Sequence, residues 1–488
     1  MRPEPTSHAS PTALPGYAAT GRIDELRATE YRHLDTDGQV YLDYAGAGVV
    51  AQAQVREHHD RLLAGLYSNP HSENPTSTAA ASLVETARRA VLDFFHADPA
   101  EYAVVFTPNA SGACRLVGEA YDFGRATPLV LTWDNHNSVN GIREYARSAG
   151  ASVRYVPLSG PELRVAESDL VTAFDAGRHR LARRWGRPGR RGLFAYPAQS
   201  NFSGVQHPLS WVELAHQQGY DVLLDAAAFA PTNRLDLSVV RPDFVCLSWY
   251  KLFGYPTGVG ALLARRDALA RLRRPWFAGG TIRAVSVQGD WHRPMDDESA
   301  FEDGTLNFLS IPDVEFGLRW LDSIGVDLVH ARVGLLTEWL LGRLTTLRHD
   351  TGGPLVQVYG PTTGAGRGGT VTFNLRHPDG TLVDERLVAR EAAAAGLSLR
   401  TGCFCNPGAG EGAFGISRTS TRRRLLAGAD TIDKYLTALR LPTGGAVRVS
   451  FGLASTATDA QRFVAFAQST YLNRAVGTES PLPPRLRC

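Results

Sequence analysis

Between about residues 50 and 330, short apolar runs alternate with helical stretches, the pattern of a mostly parallel sheet covered by helices. The clearest runs are Tyr102 to Thr107, Leu129 to Trp133, Gly192 to Tyr196, Val222 to Asp225, Phe244 to Ser248 and Gly260 to Ala264, each closed by Gly, Pro, Asn or Ser. They predict buried strands, and ligands in such sheets bind where strands end. Upstream, Ile23 to Leu34 is weakly helical, and Tyr41 to Asp43 predicts a short strand entering the tight backbone of Ala45-Gly46-Ala47-Gly48. From about residue 331 the pattern becomes a helix (Leu335 to Leu347), strands near Val356 and over Thr370 to Leu375, and helices around Val383 to Ala395 and Asp430 to Leu439. The expected class is α/β, with a large unit over 41–330 and a smaller α+β unit over 331–475. Residues 1–40 read as a partly disordered extension, unfolded over the Pro- and Ala-rich first 20, and 476–488 as a loose tail.

At 488 residues, 43% hydrophobic and 20% charged, the chain can bury a large core. A net charge of +2 calls for neither nucleic acid nor a membrane surface as partner. With no apolar run of spanning length and no leader pattern, a cytoplasmic location is the default. Five cysteines in so long a chain are too few for a disulfide framework. Only two of the 51 basic residues are lysines, Lys251 and Lys434, so a step needing a primary amine has two side-chain candidates. The seven arginines between Gly177 and Gly192 read as a solvated insertion, with an RNA- or partner-binding loop as the alternative.

Asp225 closes one apolar run, and about 25 residues later a second run ends in Ser248-Trp249-Tyr250-Lys251. A carboxylate and an amine at two strand ends are what pyridoxal 5′-phosphate (PLP) chemistry needs: an amine for the Schiff base, and an anion that keeps the pyridine nitrogen protonated. The alternative is a surface lysine beside a structural aspartate. In Thr107-Pro-Asn109-Ala110-Ser111-Gly112 a strand opens into a helix whose amides and Ser111 could cradle a phosphate. His136 follows another strand and could lie on the ring, although a lone histidine is more often structural. Asn201 could donate to the phenolic oxygen of the cofactor.

Taken together these residues resemble class V aminotransferase-fold PLP enzymes, the group of the cysteine desulfurases. Tyr41-Leu-Asp-Tyr-Ala-Gly, Ser68-Asn-Pro-His-Ser, Asp225-Ala-Ala-Ala-Phe, Leu247-Ser-Trp-Tyr-Lys-Leu-Phe-Gly-Tyr-Pro-Thr-Gly, Phe301-Glu-Asp-Gly-Thr and Leu399-Arg-Thr-Gly-Cys-Phe-Cys-Asn-Pro-Gly are similar to the N-terminal domain of molybdenum cofactor sulfurases. The resemblance implies a fold-type I homodimer with Lys251 as the Schiff-base lysine, Asp225 on the pyridine nitrogen and His136 stacked. Ser111 and Ser248 would hold the phosphate, with Asn109, Ala110, Asn201 and Tyr250 around the cofactor and Thr305 reaching the partner subunit's phosphate. Arg448 would grip the substrate carboxylate, with Arg400 as a second substrate-binding residue. Tyr250 stands where cysteine desulfurases usually have histidine, and Ala228 where they often have glutamine, which bears on the reaction type.

Cys403 and Cys405 lie on a Gly/Pro-rich stretch read as a mobile loop. A metal site or an inert loop are the readings without sulfur transfer. In the resembling family the Cys405 position carries a persulfide. The implied activity is release of alanine from L-cysteine with transfer of its sulfur to an unknown acceptor. A PLP-dependent lyase, epimerase or aminotransferase on a cysteine conjugate or other amino acid is the alternative, and a non-catalytic PLP-fold binding protein a third.

Overall fold

The computed structural model describes residues 10–177, 191–416 and 443–477, with 431, 433, 434, 436 and 482 as single positions. Residues 178–190 of the Arg-rich segment, most of the helix expected at Asp430 to Leu439 and most of the tail lie outside the described residues. The larger sheet has seven strands: β1 (Tyr102–Thr107), β2 (Leu129–Thr132), β3 (Val153–Val156), β4 (Gly192–Pro197), β5 (Tyr220–Asp225), β6 (Phe244–Ser248) and β7 (Gly260–Arg265). Their order is β1-β7-β6-β5-β4-β2-β3, and only β7 runs antiparallel to its neighbours. All six expected runs are strands, five to within a residue and the sixth, expected from Val222, beginning two residues earlier at Tyr220.

Alternate residues of the strands feed two cores. Val104, Phe194, Val222, Val245 and Leu263 face one, and Val105, Leu193, Leu223, Cys246 and Leu262 the other. With both faces buried, a strand reads as a continuous apolar run. β3, absent from the expected set, is one of the two edge strands, where Val153, Arg154 and Tyr155 keep solvent contact and only Val156 is fully buried, so half-polar spacing hid it.

A second, antiparallel sheet joins β8 (Val356–Tyr359), β9 (Thr370–Leu375), β10 (Arg400–Gly402) and β11 (Ala446–Ser450) in the order β8-β9-β11-β10. Its register places Arg400 opposite Arg448. The helix expected from Leu335 starts earlier, at Val326–Thr346, and so runs through the expected division at 330/331. Gly325 caps it without a side-chain hydrogen bond, which leaves no polar start signal.

The expectation that residues 1–20 are unfolded is corrected over residues 10–20, which form two 3-10 turns, Pro11–Ala13 and Ala18–Thr20. Tyr17 and Thr20 are buried there because the fully buried Arg332 donates to the Tyr17 hydroxyl (2.9 Å), the Thr20 hydroxyl (2.7 Å) and the Thr20 carbonyl (2.7 Å). Among the described residues no helix is long and apolar enough to cross a membrane.

Candidate active site

A cavity of about 270 Å³ opens at the strand ends of the large sheet, and Asn109, Ala110, Ser111, His136, Asn201, Asp225, Ser248, Tyr250 and Lys251 all line it. Asp225 is the last residue of β5, and its Oδ1 accepts the Ala227 N–H at 3.0 Å. β6 ends at Ser248 and turns into the short helix Trp249–Phe253, which carries Lys251. This helix is pressed from outside by Gly48, whose N–H donates to the Tyr250 carbonyl at 2.9 Å and where a Cβ would come within 3.1 Å of the Lys251 carbonyl. Burial holds the Lys251 amine below the ordinary lysine value and the Arg448 charge adds to this, while Asp225 opposes.

Asn109 caps the helix Ala110–Ala120 with its Oδ1 on the Gly112 N–H at 2.9 Å. The Ala110 N–H donates to Ser248 Oγ at 3.0 Å, joining the helix start to the end of β6. β7 begins with Gly260, where a Cβ would stand 2.6 Å from the Asn109 backbone, so only glycine lets the turn sit there. His136 Nδ1 accepts the Ser138 N–H at 3.1 Å, which places its proton on Nε2. The Ser138 hydroxyl lies 3.0 Å from the same Nδ1 and 2.5 Å from Ser111 Oγ, an arrangement of hydroxyls suited to a phosphate. Burial and the neighbouring Lys251 charge lower the histidine pKa, with Asp225 opposing.

Arg448, Arg400, Cys405 and Thr305 do not line the cavity. Arg448 is buried, donates to the Asn201 carbonyl at 3.0 Å and to Asp43 Oδ1 at 2.8 Å, and stacks over the Phe404 ring at 4.7 Å. Arg400, half exposed, reaches Asp43 Oδ2 through Nε (3.0 Å) and Nη2 (2.6 Å). Thr305 is exposed, and its hydroxyl accepts from Asn69 Nδ2 at 3.3 Å.

The stretch after Cys405, expected as a mobile loop, is corrected to the helix Pro407–Ala413. Asn at the cap and Pro at the first helical position are a helix start signal that the glycine content masked. Asn406 is fully buried: its Nδ2 donates to the Asp134 carbonyl (2.7 Å) and Asn201 Oδ1 (2.8 Å), and its Oδ1 accepts the Ala409 N–H (3.2 Å). Cys405 is exposed, with its own carbonyl accepting the Asn137 N–H at 2.7 Å, beside His136. Phe404 and Cys405 both take left-handed backbone, φ +56° and +54°, a conformation that needs such anchoring. Among the described residues no cluster of three or more His, Cys, Asp or Glu side chains could hold a metal. Asp43, Ser138 and Asn406 escaped the sequence reading, and of these only Asn406 had a local signal.

The model of the class V aminotransferase family matches residues 40–463. The chain belongs to the class V aminotransferases. This class V aminotransferase is 37% identical over 479 residues to the molybdenum cofactor sulfurase of Solanum lycopersicum, the match covering 94% of the chain and 58% of that protein. To the molybdenum cofactor sulfurase of Homo sapiens it is 34% identical over 486 residues, covering 95% of the chain and 53% of that protein. The chain thus spans just over half the length of these curated relatives. Among solved structures, the apo cysteine desulfurase of Thermococcus onnurineus superimposes with a TM-score of 0.73 at 22% identity, covering 91% of this chain and 97% of that one. The fold is therefore PLP fold type I, and the chain is a PLP-dependent enzyme. The cavity fits that cofactor: an amine and a carboxylate face it from adjacent strand ends, and hydroxyls gather at a helix start.

Proposed function

We propose that this class V aminotransferase is a cysteine desulfurase of the molybdenum cofactor sulfurase kind, which takes sulfur from L-cysteine onto Cys405 and releases alanine. The observation that carries the reading is the anchoring of Cys405 to the rim of the Lys251 cavity: its carbonyl receives the Asn137 N–H at 2.7 Å, and Asn201, a cavity residue, bonds both Phe404 and Asn406 at 2.8 Å. PLP would be held covalently by Lys251, with Asp225 at the pyridine nitrogen, His136 on the ring, and Asn109, Ala110, Ser111, Asn201, Ser248 and Tyr250 around it. When bound, it supplies an electron sink for charge developing at the substrate α-carbon.

The chain's own residues do the rest. Arg448, with Arg400 beside it, takes the substrate carboxylate. The lowered pKa of Lys251 favours a neutral amine that can accept the α-proton, with His136 as the second candidate. The Cys405 thiolate attacks the substrate sulfur. An S–S bond forms as the Cβ–S bond breaks, the electron pair stays on Cβ and takes up a proton there, and the proton held by the base returns to Cα before alanine leaves.

The same reading includes a sulfur acceptor, a cytoplasmic homodimer in which exposed Thr305 serves the partner subunit, and a division into a PLP-holding unit and a smaller one. Incubation with L-cysteine and a reductant, measuring alanine and sulfide, is the direct test. Cys405→Ala should bind PLP yet release almost no alanine, and an adduct of about 32 Da, one sulfur atom, should map to the Cys405 peptide of the unmutated protein. Cys403→Ala should keep most turnover. Wild-type turnover in Cys405→Ala would transfer the assignment to a lyase, epimerase or aminotransferase.

A further inference from the structure

Residues 41–48 form a strap between the second sheet and the Lys251 helix. At one end the Ser450 N–H donates to the Leu42 carbonyl and the Ala45 N–H to Ser450 Oγ, both at 2.8 Å. At the other, the Gly48 N–H holds the Tyr250 carbonyl at 2.9 Å. Between them Asp43, only 9% exposed, places one carboxylate oxygen on Arg448 (2.8 Å) and the other on Arg400 (2.6 and 3.0 Å). Gly46 closes the strap over this pairing: a Cβ there would meet Asp43 Oδ2 at 2.5 Å and Arg400 Nη2 at 2.6 Å.

Among the described residues Asp43 is the one carboxylate that ion-pairs with Arg448. A buried guanidinium stripped of its anion is strongly unfavourable, so an arriving substrate carboxylate adds to this trio rather than displacing Asp43 from it. Two guanidinium groups and one carboxylate leave a surplus of one positive charge, which a single further anion neutralises. We infer that Asp43 is a positioning residue for substrate recognition, locking Arg448 and Arg400 into one carboxylate clamp and fixing that clamp to the Lys251 helix. The inference rests on the carboxylate role of Arg448 proposed above and adds the residue that sets its geometry.

The test is binding, read from the absorbance of the PLP-loaded protein titrated with L-alanine and with ethylamine, which lacks the carboxylate. The unmutated protein should prefer L-alanine. In Asp43→Asn the preference should fall about tenfold or more, equivalent to ~1.4 kcal/mol, through weaker L-alanine binding with ethylamine binding held. A merely structural defect would weaken both. Gly46→Ala, which keeps every charge and only crowds the clamp, should lose the preference too. An unchanged preference in either variant overturns the inference, as does an unmutated protein that shows none. Preference for L-alanine without alanine release from L-cysteine would sink the desulfurase reading and leave the clamp standing.

Discussion

Replacing Asn406 by alanine should free the segment that carries Cys405 while leaving the large sheet intact. The side chain is fully buried and makes three hydrogen bonds, to the Asp134 carbonyl, Asn201 Oδ1 and the Ala409 N–H. Loss of the helix cap costs about 1 kcal/mol. The buried Asp134 carbonyl and the half-buried Asn201 Oδ1, stripped of their donor, add about 1 kcal/mol each at the low end. The sum of about 3 kcal/mol raises the local opening constant about a hundredfold, at ~1.4 kcal/mol per decade. Hydrogen exchange followed by mass spectrometry reads this directly: the amides of 408–413 and of Asn137 should exchange about a hundredfold faster, whereas β5 and β6 stay protected. Bound PLP should be retained and alanine release from L-cysteine should drop. Unchanged protection over 408–413 would refute the anchoring argument, and equal loss of protection throughout would show that Asn406 supports the whole fold instead.

Borohydride should fix PLP onto Lys251 and not onto Lys434, as peptide mapping will show, and label on Lys434 would remove the basis of the site. Because burial lowers the His136 pKa, the stability it contributes is complete above the ordinary histidine value of about 6.5 and is lost as pH falls through the lower folded value. The melting temperature of the unmutated protein should therefore drop more steeply than that of His136→Gln between neutral and mildly acid pH, and parallel curves would contradict this. Arg332→Met should cost about 3 kcal/mol in urea unfolding, the low end for breaking a buried ion pair, because its partner Asp24 is 41% exposed and can be rehydrated; a change under about 1 kcal/mol, the scale of an exposed pair, would mean that residues 10–24 are not tied down by it.

Periodicity and turn chemistry were enough for six of the seven strands of the large sheet and for the cavity floor, since a strand buried on both faces must read as a continuous apolar run, which the half-exposed β3 does not. Lysine scarcity singled out Lys251, and each of Asn109, His136, Asp225 and Ser248 sits just past or at the end of such a run. Burial and local backbone are properties of a few adjacent residues, so the chain's own order carries them. The rest depends on groups far apart in sequence. Asp43 meets Arg448 across 405 positions and Arg400 across 357; with 49 arginines in the chain, only the β10–β11 register decides which two share that carboxylate. Asn406 finds the Asp134 carbonyl 272 residues away, and at Gly408 a Cβ would come within 2.2 Å of the Trp133 carbonyl, so closeness alone dictates glycine. The N-terminal turns read as disorder by composition and are ordered by one buried guanidinium from Arg332. A buried charge or polar group imposes no spacing on its neighbours in the chain, and its partner is chosen only when the folded backbone brings the two together.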